Sequence, residues 1–77
     1  MLSVHKAHDP RIKFLVEEMG LQGVSQYALY KRAGLAKDTI AYWRRGGGAT
    51  ISNFDAALNV LGYRLAIVDA LDREVAL

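Results

Sequence analysis

The chain contains no cysteine, which excludes a disulfide framework and a cysteine-ligated zinc site and leaves apolar packing alone to hold a core. No apolar run approaches the roughly 20 residues that cross a bilayer, and the N-terminus does not run from basic to apolar as a secretory signal does. A cytoplasmic location is therefore expected. Catalytic patterns are missing too: no nucleophile with an adjacent base and no carboxylate pair in a catalytic arrangement is found, and Gly46-Gly47-Gly48 lacks the lysine and spacing of a phosphate loop. Neither an enzyme nor a cofactor is expected. His5 and His8 stand three apart without a carboxylate and cysteine set, so a tail is expected there and no metal site. What is present is 77 residues, one domain near the lower size limit for a core without metal, disulfide or second subunit.

Charge is placed unevenly. The net charge is +2, but residues 1–24 sum to zero, 25–50 to +4 and 51–77 to −2. The middle segment sets Lys31, Arg32, Lys37, Arg44 and Arg45 against the single acid Asp38, a distribution suited to a polyanion such as DNA, although a solvated charged face would look the same.

Residues 1–8 show no sustained period and read as a flexible N-terminal arm. Asp9 before Pro10 is a helix start, and Ile12, Leu15, Val16 and Met19 then recur at helical spacing, which predicts a first helix over about 10–19 ending near Gly20. Ser25 caps a short second helix carrying Ala28, Leu29 and Ala33, stopped by Gly34 as a left-handed C-cap. A third helix fits Ala36 to Arg45, closed by the flexible Gly46-Gly47-Gly48 link. Thr50 caps a fourth, with Ile51, Phe54, Ala57, Leu58 and Leu61 facing one way until Gly62.

Residues 63–77 are ambiguous. Tyr63 to Val68 has the residue types of a strand, while Leu65, Val68, Leu71 and Val75 also suit a helix. A short strand is favoured, and a lone strand would seek its own copy across a two-fold axis, which makes Tyr63, Leu65 and Ile67 candidate dimerisation residues. The alternative is a tail that folds back over the monomer core.

Between Ser25 and Gly46 the order is cap, short helix, glycine, apolar residue, second helix, glycine: the spacing of two helices packed across a tight turn. Stepping about 100° per residue from Ile40 puts Ala36 and Trp43 beside it, Asp38, Ala41, Tyr42 and Arg45 opposite, and Lys37 and Thr39 on the flanks. Ile40 and Trp43 should point inward.

The residues Ser25-Gln26-Tyr27-Ala28-Leu29, Arg32-Ala33-Gly34-Leu35, Thr39-Ile40 and Trp43-Arg44-Arg45-Gly46, followed by Thr50-Ile51, Ala57-Leu58 and Leu61-Gly62, resemble the lambda-repressor-like (Cro and repressor, xenobiotic-response-element) helix-turn-helix family over about residues 10–62. The run from Leu61 to Val68 resembles the strand-like tail of small phage-type and antitoxin members. The resemblance implies a mainly α fold of four to five helices, with a helix-turn-helix DNA-binding domain over 9–62 and a dimerisation tail over 63–77. It implies base contacts from Lys37, Asp38, Thr39 and Tyr42, and backbone contacts from Gln26, Arg44 and Arg45 with Thr50 and Asn53 beside them. Asp38 repels phosphate and accepts only from a donor such as the cytosine amino group, which points to sequence selection; alternatively it favours the positive end of the third helix. Two positions depart from the family pattern: Ala36 replaces the usual Ser or Thr cap, and Tyr30 replaces a small residue between the helices.

The implied function is a transcriptional regulator, a repressor acting as a homodimer on palindromic double-stranded DNA, in a bacterial nucleoid or phage-encoded setting. Two alternatives stand beside it. One is an antitoxin that binds a toxin protein through Asp69, Asp72 and Glu74 or the arm while repressing its own operon. The other is a protein-interaction adaptor that has lost DNA binding.

Overall fold

A computed structural model describes residues 9–77; the expected N-terminal arm, with His5, lies outside them, as does His8. Four helices follow one another: α1 (Pro10–Gln22), α2 (Gln26–Ala33), α3 (Thr39–Arg44) and α4 (Ile51–Val60). The fold is a small, mainly helical domain, with no strand among the described residues. None of the described helices is long and apolar enough to cross a membrane.

Local chemistry starts three of the helices. The Asp9 carboxylate accepts from the Arg11 backbone N–H at 2.9 Å, the Ser25 hydroxyl from Ala28 N–H at 3.0 Å and the Thr50 hydroxyl from Asn53 N–H at 3.2 Å, each satisfying a donor that has no partner within its helix. The Asp9 carboxyl also takes the Arg11 guanidinium, and these hydrogen bonds hold it below the usual carboxylate range.

All four helices end the same way. Gly23, Gly34, Gly46 and Gly62 take φ values of 68°, 72°, 96° and 92°, a region that costs other residues energy. Each glycine turns the chain so that the next N–H returns to a carbonyl five residues back: Val24 to Met19, Leu35 to Tyr30, Gly47 to Tyr42 and Tyr63 to Leu58, all at 2.9 Å. This is the Schellman closure.

The core joins Ile12, Leu15 and Met19 of α1, Leu29 of α2, Ile40 and Trp43 of α3, Phe54, Ala57 and Leu58 of α4, and Leu61. Helix α2 packs against both α3 and α4, and α1 against α3. The Trp43 and Phe54 rings meet edge to face at 5.9 Å, a favoured aromatic geometry. Tyr30, Val16 and Leu35 pack on the margin.

Four expectations need correction. Helix α1 runs through Gly20 to Gln22 and stops at Gly23, because the Gln22 side chain donates to the Leu61 carbonyl at 2.9 Å and ties the last turn of α1 to the end of α4. Helix α3 starts at Thr39 rather than Ala36. Residues 34–38 form the connection instead, Ala36 is exposed, and the cap position belongs to Asp38, whose side chain makes no cap hydrogen bond. Ile51 is 80% exposed and outside the core, since the first residue after a cap projects before the helix reaches its neighbours.

The fourth correction concerns the strand expected near residues 63–68. Only one isolated antiparallel bridge forms, between Val68 and Glu74. The Asp69 carboxylate instead accepts from the backbone N–H of Leu71 and Arg73 at 2.8 and 3.1 Å and builds a turn, as aspartate commonly does. Arg64 clamps Glu74 through both carboxylate oxygens at 2.7 and 2.6 Å. A two-stranded hairpin is marginal without further strands or a covering helix, and this one stays irregular.

Tyr63 joins the tail to α1. Its ring meets Phe14 at 5.2 Å, and its hydroxyl donates to Glu18 at 2.8 Å. That hydrogen bond to a carboxylate raises the Tyr63 phenol above its ordinary pKa of 10.0. A folded-state value above the unfolded one means that the fold holds the proton, so this contribution is complete below the unfolded pKa and is lost as pH rises through the folded one. A difference titration of tyrosinate absorbance between the wild type and Tyr63→Phe is expected to isolate a midpoint above 10.0. A midpoint at or below that value would mean that Glu18 does not accept this hydrogen bond.

Candidate functional site

The expected DNA-contact residues lie on α2, in the connection before α3, on α3 and its C-terminal end, and at the start of α4. Ile40 and Trp43 are 1% and 2% exposed, so α3 turns one side fully into the core. Its other side presents Asp38, Tyr42 and Arg45 to solvent, with Lys37 exposed just before the helix and Thr39 half-buried on the flank. The helical period accounts for this division, since residues 40 and 43 share a face that 38, 42 and 45 do not. Ala41 is half-buried, because the neighbouring elements cover more than the single stripe.

Arg44, the last residue of α3, donates through Nη1 to Gln26 Oε1 at 2.7 Å. Arginine is only a donor, so the Gln26 amide must turn its oxygen toward Arg44, which leaves the amide NH2 as a donor at the start of α2. The pair bridges the outer ends of α2 and α3 and brings together two residues of the expected backbone-contact set. Thr50 and Asn53 are exposed at the start of α4. The Thr50 hydroxyl accepts the Asn53 N–H and keeps its own proton for donation.

The ionic pairing separates the chain's six arginines into two sets. Outside residues 25–50, Arg11 pairs with Asp9 at 2.9 Å, Arg64 with Glu74 at 2.6 Å and Arg73 with Asp69 at 2.9 Å. Within 25–50, Arg32, Arg44 and Arg45 are exposed and pair with no carboxylate among the described residues. Lys31 lies over the Tyr27 ring at 5.7 Å, and Tyr27 meets Tyr30 edge to face at 5.4 Å. These tyrosines fasten the exposed side of α2 and orient one of its cations.

Sequence reasoning missed a contact in the loop after α3. A Cβ built at Gly47 would run into the Tyr42 ring, so the ring lies directly against the Gly47 backbone. Where the sequence suggests only a flexible link, Gly46 closes the helix and Gly47 accommodates a neighbouring ring. The signal available was a second glycine where the three other helix ends carry Val24, Leu35 and Tyr63.

All three expected dimerisation residues, Tyr63, Leu65 and Ile67, are exposed, although one edge of the Tyr63 ring packs on Phe14 of α1 within the same chain. The Leu65 N–H donates to Asp55 at 2.8 Å, which anchors the beginning of the tail to α4.

Against protein-family models, curated proteins and solved structures, the chain finds no match.

Proposed function

We propose that the chain binds double-stranded DNA sequence-specifically, with α2 and α3 as a helix-turn-helix of the lambda-repressor-like kind, and acts as a transcriptional repressor. The observation that carries this reading is the separation of the arginines: those flanking the segment are neutralised by carboxylates, and Arg32, Arg44 and Arg45 are not. Unpaired exposed cations on two successive helices, Arg32 on α2 and Arg44 and Arg45 at the end of α3, suit phosphates, whose condensed counterions they would displace. In this reading α3 enters the major groove, where every base pair shows its own donor and acceptor pattern. Arg44, Arg45 and the free amide donors of Gln26 hold the backbone, with Thr50 and Asn53 at the edge. Lys37, Asp38, Thr39 and Tyr42 meet base edges.

The tail supports association with a second copy. Ile67, Val68, Leu71, Val75 and Leu77 are large apolar residues exposed near one another in sequence, and a soluble domain gains by covering such surface. A homodimer would set two recognition helices on a palindrome with half-sites about one helical turn apart. A toxin protein covering the same tail is the alternative, and sedimentation of the isolated protein separates the two, because only the homodimer forms without another chain.

Selection from random duplexes tests the reading. It is done at about 150 mM salt, where nonspecific Kd values of roughly 10⁻⁴ to 10⁻⁶ M let a preference emerge. A single palindrome should be enriched, and Asp38→Ala should relax one or two of its positions with little loss on nonspecific DNA. Failure of folded protein to enrich any sequence would move the function to the protein-interaction adaptor; an unchanged preference in Asp38→Ala would remove Asp38 from the base-reading set.

A further inference from the structure

We propose that Gly47 is a specificity-determining position, because its bare backbone seats the Tyr42 ring and so sets the direction from which Tyr42 approaches DNA. The inference rests on the DNA-binding reading above and adds to it a residue that touches no base.

Each of the four helices closes with the same pair of backbone hydrogen bonds. In each closure the residue after the left-handed glycine stands opposite the helical residue whose carbonyl its N–H reaches, and an apolar contact between the two normally accompanies the hydrogen bonds. Three ends follow that rule in residue type, with Val24 against Met19, Leu35 against Tyr30, and Tyr63 against Leu58. At the end of α3 the position holds Gly47, and the space that a side chain would occupy is taken by the Tyr42 ring. The Gly47 N–H meanwhile binds the Tyr42 carbonyl at 2.9 Å, so backbone and ring of one residue are both held against the other.

Gly47 is not required by its own backbone angles. It is absent from the positive-φ glycines, which are Gly23, Gly34, Gly46 and Gly62. Gly48, next in the run, has nothing near its missing Cβ. The requirement for glycine at 47 therefore comes from the Tyr42 ring alone, and an alanine there would displace the ring while the closure stays intact.

Tyr42 is 52% exposed on the side of α3 opposite the core, where an unsupported tyrosine would sample several rotamers. Seated on Gly47, it meets a ligand with little rotamer freedom left to lose, and its phenol, both donor and acceptor, has a defined direction. Ordering one such side chain on binding typically costs enough to change affinity about two- to tenfold.

The test is selection and binding with Gly47→Ala, Tyr42→Ala and the double variant, each first shown folded by circular dichroism. Gly47→Ala is expected to bind the selected site about two- to tenfold more weakly. It should broaden preference at the position that Tyr42→Ala broadens, leave nonspecific affinity unchanged, and cost nothing further in the Tyr42→Ala background. Gly48→Ala, with open space at its Cβ, should keep the wild-type preference. An unchanged preference in Gly47→Ala, or an equal loss with and without Tyr42, would overturn the inference while the wild type still enriched its site. A wild type that enriches nothing would overturn the DNA-binding reading and this inference with it. In that case, cross-relaxation between the Tyr42 ring and the Gly47 α-protons would still show whether the seat itself exists.

Discussion

Replacing Trp43 by alanine should leave little folded protein. The indole is 2% exposed and meets the Phe54 ring at 5.9 Å, with α1 and α2 contributing Leu15 and Leu29 to the same core. Trp→Ala in a core typically costs about 3–5 kcal/mol, from lost transfer free energy and from the cavity left behind. A core in a domain of this size rarely supplies more than about 3–5 kcal/mol of net stability. The two quantities are comparable, so cooperative unfolding should be lost or shifted to very low denaturant. Urea titration followed by far-ultraviolet circular dichroism reads this without the indole signal. A loss below about 1 kcal/mol, the scale of an ordinary point substitution, would mean that Trp43 faces solvent and that α3 is rotated from the arrangement described. Tyr27→Ala, at a ring that is 62% exposed, serves as the contrasting variant.

The second large effect concerns salt. On the DNA-binding reading proposed above, changing both Arg44 and Arg45 to alanine should make the slope of log K against log salt shallower by about 1.8, since each phosphate contact on B-DNA contributes about 0.9. Each lost charged hydrogen bond also removes roughly 1.5–3 kcal/mol, about tenfold or more in affinity, and does so on all duplexes alike. Arg64 and Arg73 provide the internal comparison, because carboxylates already neutralise both. Changing them to alanine should leave the slope near its wild-type value. The reverse pattern, a slope insensitive to Arg44 and Arg45 but reduced by loss of Arg64 or Arg73, would place the polyanion on another face and remove α3 from the interface.

The two effects are linked through α3, which has only six residues. A helix this short does not persist alone in water. Its outer face is ordered because Ile40 and Trp43 are buried, so the same helix that fixes the core also holds Tyr42 and Arg45 in place. Arg44→Ala is expected to differ from Arg45→Ala in one respect: it also frees the Gln26 amide from its hydrogen bond at 2.7 Å.

Much of this arrangement is determined by the sequence alone, because short-range chemistry suffices for it. Asp9, Ser25 and Thr50 accept from N–H groups two or three residues ahead, Gly34, Gly46 and Gly62 end their helices within the local chain, and the period that places Ile40 and Trp43 together needs no knowledge of their neighbours. The charge division between residues 25–50 and the rest is likewise readable residue by residue. Tertiary structure decided what depends on partners far along the chain. Gln22 meets Leu61 across 39 positions and extends α1 past Gly20; Tyr63 meets Glu18 across 45 and docks the tail; Arg44 meets Gln26 across 18 and turns its amide. The tail forms a turn because Asp69 offers its backbone hydrogen-bond partners that no second strand supplies. Periodicity carries no record of these meetings, since each depends on which surfaces the packed helices bring within hydrogen-bonding reach.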